Sequence, residues 1–139
     1  MRRYLVVSNQ TLASEALVEK IRSCRGGGLC QFYVVVPATH SHDGLTWTEG
    51  HDRALARERL ADTLERLRAD GATVDGEVGD PRPLDAIADA VRSGPPFDEI
   101  LLFTHPPAIS RWLHQDLPHR AQRRFKVPVT HVVAEPAHS

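Results

Sequence analysis

Five short apolar runs alternate with four helix-prone segments along nearly the whole chain, and that alternation is the strongest constraint on its fold. Tyr4–Val7 is a short strand of the buried type. "FYVVVP", residues 32–37, is aromatic and β-branched and is closed by Pro37, the strongest strand signal present. "ATVDGEV", residues 72–78, reads as a weaker strand near a sheet edge. "FDEILLF", residues 97–103, and "VPVTHVVA", residues 127–134, supply the fourth and fifth strands. Between them, "TLASEALVEKIRS" places Leu12, Ala16, Leu17 and Ile21 on one helical face and is ended by Gly26–Gly28. Either Thr11 or Ser14 can cap it, and Ser8 reads with them as a helix-start residue.

A polar loop then leads into a charged helix from about His51 to Ala69. Its buried stripe is Leu60, Leu64 and Leu67, with Gly71 just beyond its end. "GDPRPLDAIADAVRSG" opens with Asp80 as cap and prolines in the first turn, and spaces Leu84, Ile87, Ala88 and Val91 at i, i+3, i+4, i+7. A last helical region has Asp116 as internal N-cap and runs to Phe125. The tail after Glu135 is expected to fray. Near-continuous apolar strands separated by helices imply a parallel sheet covered on both faces, a flavodoxin- or Rossmann-like α/β three-layer sandwich. In such sheets ligands bind beyond the strand C-termini, where the strand order reverses. That expectation gathers Ser8–Thr11, Pro37–Asp43 and Phe103–Ser110 around one crevice.

Bulk properties narrow the function classes. The 139 residues suit one domain, long enough to bury about two thirds of the unfolded surface without disulfides or metal. With 17 basic and 18 acidic residues the formal net charge is −1, so no global field draws the chain to nucleic acid or to a membrane surface. No apolar stretch has the length of a signal h-region or a membrane span, and the expectation is a soluble cytoplasmic protein. In that compartment Cys24 and Cys30, which flank "RGGGL", are expected as free thiols.

The order of these segments, with "GDP…IADA" before the fourth strand and "VPVTHVV" at the end, resembles the universal stress protein family over nearly the full chain. The resemblance implies a five-stranded parallel sandwich of the adenine nucleotide alpha hydrolase-like kind, commonly a homodimer through the last strand. In nucleotide-binding members it also implies an aspartate ending the first strand. A phosphate cradle follows the fourth strand: Gly, two residues, Gly, nine residues, Gly, then Ser or Thr. Aligned backwards from "VPV", the glycine positions fall on Leu102, His105 and Gln115, the Ser/Thr position on Asp116, and the aspartate on Asn9. No glycine occurs between Gly94 and the C-terminus, so no shift of the alignment restores one.

That loss has a physical consequence. Cradle glycines provide positive φ and let backbone N–H groups reach phosphate oxygens. Pro106 and Pro107 instead fix φ near −65° and remove two donors. Asp116 would set a carboxylate at a helix N-terminus, its oxygens taking the N–H groups a phosphate needs. The chain is therefore expected to be a dimeric binding or signalling module that does not hold ATP in the family's manner and needs no cofactor. The remaining ligand-binding candidates are Asn9, Val36, Thr104, His105, Arg111, Asp116 and His119. The resemblance places adenine against the backbone at Val36, and Asn9 can bond a ribose hydroxyl, so a nucleoside or small anionic ligand fits the list. In the alternative, His105, Arg111 and His119 rebuild a phosphate site for ATP or AMP, with slow hydrolysis possible.

Other clusters read as structural. His40, His42 and Asp43 in "THSHD" carry zinc-type ligands but lack a fixed further one, so a polar loop is expected. Asp98 and Glu99 point to opposite faces of a strand and do not form an acid pair. No nucleophile elbow, Cys–His signature or dinucleotide glycine fingerprint occurs, and no catalytic residue is assigned. Trp47 and Trp112 are the aromatic residues a partner-binding role would use.

Overall fold

The structure, a computed structural model, describes residues 2–8, 15–26, 28–37, 49–80, 82–104 and 116–133; at 15–16, 49–53, 55, 104 and 133 it describes the backbone alone. The elements follow in the order β1 (Arg2–Ser8), α1 (Glu15–Arg25), β2 (Cys30–Pro37), α2 (Glu49–Ala69), β3 (Val74–Gly79), α3 (Pro83–Arg92), β4 (Glu99–Thr104), α4 (Leu117–Phe125) and β5 (Val129–Val133). All five strands are parallel and ordered β3-β2-β1-β4-β5. The expected α/β three-layer sandwich is the architecture found.

Period-two alternation along the strands divides the core between two faces. Tyr4, Val6, Phe32, Val34, Leu101 and Phe103 face one side. There they meet Leu17 and Ile21 of α1 and the Leu60–Leu64–Leu67 stripe of α2. Leu5, Val7, Val35, Ile100 and Leu102 face the other side, against Ile87 of α3 and Leu117 and Ala121 of α4. The chain walks outward from β1 to β3 with its helices on the first face. It then reverses to β4 and β5 with its helices on the second, as right-handed crossovers require. Each large side chain so buried contributes about 1.5–3 kcal/mol.

The end of α2 shows why Gly71 is needed. Ala72 N–H donates to the Leu67 carbonyl at 3.0 Å and Gly71 N–H to the Arg68 carbonyl at 2.9 Å, the paired bonds of a Schellman motif. The motif requires a left-handed residue, and Gly71 has φ +94°. Leu67 and Ala72 close the apolar contact beneath it.

Two expectations about α3 are corrected. Asp80 does not cap the helix: its Oδ1 accepts from the Arg82 N–H at 2.8 Å, closing the turn ahead of it, and Arg82 occupies the N-cap without a side-chain bond. Pro83 does open the helix. The buried stripe is also rotated. Ile87 and Ala88 of the expected stripe are buried, but Ala86 and Ala90 join them while Leu84 and Val91 are half-buried at the edge of the core. The cause is the close approach of α3 to β3. A Cβ at Gly79 would lie 2.9 Å from the Ala86 Cβ, so only small residues fit where helix and strand meet.

Candidate ligand crevice at the strand C-termini

The strand order reverses between β1 and β4, where β1 runs out to β2 on one side and β4 turns away on the other. The C-terminal residues Ser8, Pro37 and Thr104 lie at the same end of the sheet. Ser8 registers with Phe103, Val36 with Val78, and Thr104 with Val133. Val36 and Thr104 are separated by the width of β1, so they stand about 10 Å apart on either side of Ser8. The expected reversal of strand order is therefore present, and it lies between β1 and β4.

Ser8 was expected at the start of a helix and is instead the last residue of β1, with no exposed surface. The signal was available in its position, directly continuing the apolar run "YLVVS". Of the candidate residues, Val36 is buried and its side chain belongs to the core under α1 and α2. Only its backbone can serve a ligand, the role the resemblance implied. Thr104 is the last residue of β4, one position beyond the expected end of that strand. Asn9, His105 and Arg111 lie outside the described residues, as do the "THSHD" loop, both tryptophans and the tail after Glu135.

Asp116 and His119 are brought together, but not as the sequence implied. Asp116 precedes α4 with φ 54° and ψ 40°, in the left-handed region, and makes no side-chain cap bond. The N-cap normally adopts an extended backbone so that its carboxylate reaches the N–H of the second or third helical residue. Here the second position is Pro118, which has no N–H, and the left-handed backbone turns the carboxylate away. The Asp116 Oδ2 lies 3.7 Å from His119 Nδ1 instead. The Asp116 carbonyl still accepts the first helical bond, from Arg120 N–H at 3.0 Å. The expected cap is absent, while the negative charge remains at the mouth of the helix.

The opposite end of the sheet is built differently. A cavity of about 360 Å³ lies there, lined by Arg3, Gln31, Tyr33, Thr73, Asp75 and Phe97 among others. Its polar groups are committed to the fold. The Arg3 guanidinium donates to the Pro95 carbonyl, to Pro96 O at 3.3 Å and to Gln31 Oε1 at 3.3 Å, and sits 4.5 Å over the Phe97 ring. The Tyr33 hydroxyl donates to Glu77, and burial followed by that bond holds its pKa well above the ordinary phenol value. Asp98 and Glu99 lie at this end too, but not on one strand as expected: Asp98 precedes β4 and Glu99 begins it. Asp98 accepts from the Arg3 N–H at 2.8 Å, and Glu99 accepts from Thr130 at 2.6 Å and pairs with Arg2 at 3.7 Å.

Among the described residues no group of three His, Cys, Asp or Glu is placed to hold a metal ion, and no helix is long and apolar enough to cross a membrane. No protein-family model matches the chain, and no curated protein matches it.

Proposed function

We propose that the chain is a universal-stress-protein-like binding or signalling domain that works as a homodimer and receives its ligand at the β1/β4 switch point without a glycine phosphate cradle. The observation that carries this reading is the reversal of strand order at β1/β4, combined with a β4-to-β5 connection that contains no glycine. A five-stranded parallel sheet with this reversal offers its ligand site beyond Ser8 and Thr104. The candidates proposed for that position are Asn9, Thr104, His105, Arg111 and His119 as polar groups and Val36 as backbone, a set suited to a nucleoside or small anion. Prolines 106 and 107 and the Asp116 carboxylate work against a triphosphate, because rigid, donor-poor backbone and a resident negative charge stand where its oxygens need flexible amides.

Isothermal titration tests the reading with ATP and AMP, each with and without magnesium. The expected result is no magnesium-dependent ATP binding in the micromolar range. Micromolar ATP affinity that requires magnesium and disappears in Arg111→Ala overturns it in favour of a rebuilt phosphate site.

A further inference from the structure

Cys24 lies in the last turn of α1 and Cys30 begins β2. Both are free and half-buried, and both pack against the core face beneath α1 and α2. The Cys30 S–H donates to the Cys24 carbonyl at 3.3 Å and lies 3.5 Å from the Gly28 carbonyl. The connecting turn is exposed at Gly26, Gly28 and Leu29, the last with 78% of its surface open.

We propose that Cys24 and Cys30 are a dithiol modification site, closing reversibly to a disulfide across the glycine turn when a small-molecule disulfide oxidant is present. A disulfide needs an S–S distance of about 2.05 Å and Cα atoms about 4.4–6.8 Å apart. The Cys30 sulfur already lies against the backbone carbonyl of residue 24, so what closure still requires is movement of the Cys24 side chain and of the turn. The turn can supply it. Gly28 has φ +133°, a conformation open to glycine alone, and a Cβ there would meet nothing within 4 Å.

The surroundings assign an order to the two sulfurs. Burial holds the Cys24 thiol above its ordinary value, opposed by its hydrogen bond with Tyr4. The Tyr4 phenol is itself pushed up to about 12 by burial and by Cys24, so it remains a neutral partner. Cys30, against the exposed turn, is the sulfur an oxidant meets first. With glutathione disulfide, the Cys30 thiolate attacks one sulfur, forms a mixed disulfide and expels one glutathione thiolate. The Cys24 thiolate then attacks the Cys30 sulfur and expels the second. One oxidant is reduced to two thiols, two protein thiols become one disulfide, and their protons pass to the released glutathione.

Closure would act on α1. Its last turn is already held to the C-cap of α2, where Arg22 donates to both Asp70 carboxylate oxygens and Arg25 donates to the Asp70 carbonyl at 3.0 Å. A covalent tie to β2 pins the same turn from the other side, and α1 is the helix that leads away from the β1 end of the crevice. The proposal stands apart from the functional reading above, because its geometry lies at the opposite end of α1.

The test uses the full reduced chain with excess glutathione disulfide, followed by thiol counting, intact mass and peptide mapping. The wild type is expected to lose both thiols, to lose two hydrogens in mass, to show a Cys24–Cys30 linked peptide, and to recover fully with dithiothreitol. Cys24→Ser is expected to stop at a stable glutathione adduct on Cys30, and Cys30→Ser to form its adduct more slowly. A wild type that accumulates glutathione adducts or intermolecular disulfides without the internal link overturns the proposal, as does one that keeps both thiols. Equal adduct formation in wild type and Cys24→Ser overturns it as well, since both variants are read without any need for altered folding.

Discussion

The two edges of the sheet, β3 and β5, are both single strands flanked on one side only, yet they are protected in different ways. β3 is held between helices from both faces. Leu60 of α2 presses on Gly76, where a Cβ would come 3.0 Å from its Cδ1, and Ala86 of α3 presses on Gly79. The strand also carries Asp75 and Glu77, charged residues of the kind that discourage pairing at an edge. β5 has α4 on one face and contains no glycine. Its residues 129–132 are all half-buried and none is buried. Side-chain bonds tie both edge strands inward, Tyr33 to Glu77 for β3 and Thr130 to Glu99 for β5. Cover distinguishes them: β3 has helices against both faces, whereas among the described residues the helix packed against β5 is α4. That asymmetry supports the proposed homodimer.

Gly76→Val should do the most damage to this contrast. The new Cβ would lie 2.5 Å from the Val34 carbonyl oxygen as well as against Leu60, so β3 cannot keep its place against the backbone of β2. A loss of about 3 kcal/mol is expected in urea unfolding, at the upper end of overpacking penalties. A loss below about 1 kcal/mol would mean that β3 is not packed this closely against β2 and α2.

A smaller effect is expected at the open edge. Light scattering of the wild type at micromolar concentration should give twice the chain mass, and His131→Lys should weaken association at least about tenfold, or about 1.4 kcal/mol. Lysine is a natural guard against edge pairing, and far-UV circular dichroism should remain unchanged. A monomeric wild type would overturn pairing through β5.

The smallest effect is a pH dependence at the same residue. Partial burial lowers the His131 pKa below the ordinary histidine value. The unfolded chain therefore takes up this proton before the folded chain does, so stability falls as pH drops below about 6.5 and stops falling once the folded pKa is passed. The urea midpoint should decline over that window, and His131→Gln should flatten the part of the decline that comes from this residue. A decline of the same size in His131→Gln would assign it to other groups.

Much of the architecture was legible because it is written in local periodicity. The "FYVVVP" run, the Leu60–Leu64–Leu67 stripe, the Gly71 terminus and the weak edge character of "ATVDGEV" all follow from side-chain spacing or backbone permissiveness within a few residues. The site was legible in outline only. Alternating strands and helices imply a crevice at the strand C-termini, but the Asp116 cap failed because capping depends on backbone dihedrals as well as residue type, and Pro118 removed one of the two donors it could have used. The rotation of α3 escaped for a similar reason. Leu84 and Val91 look like the better stripe until Gly79 brings the strand so near that alanines must face it.

The sequence by itself determined the layers, the number of strands and the absence of glycine from the β4-to-β5 connection, since each depends on residue identity or short-range spacing. Tertiary structure alone decided which strand became the covered edge, that Ser8 would be sealed at the end of β1, that Arg22 and Arg25 would converge on Asp70, and that the Cys30 sulfur would rest against Cys24. Those outcomes depend on how closely helices approach the sheet and on contacts between residues up to several dozen positions apart. Local spacing carries no information about either.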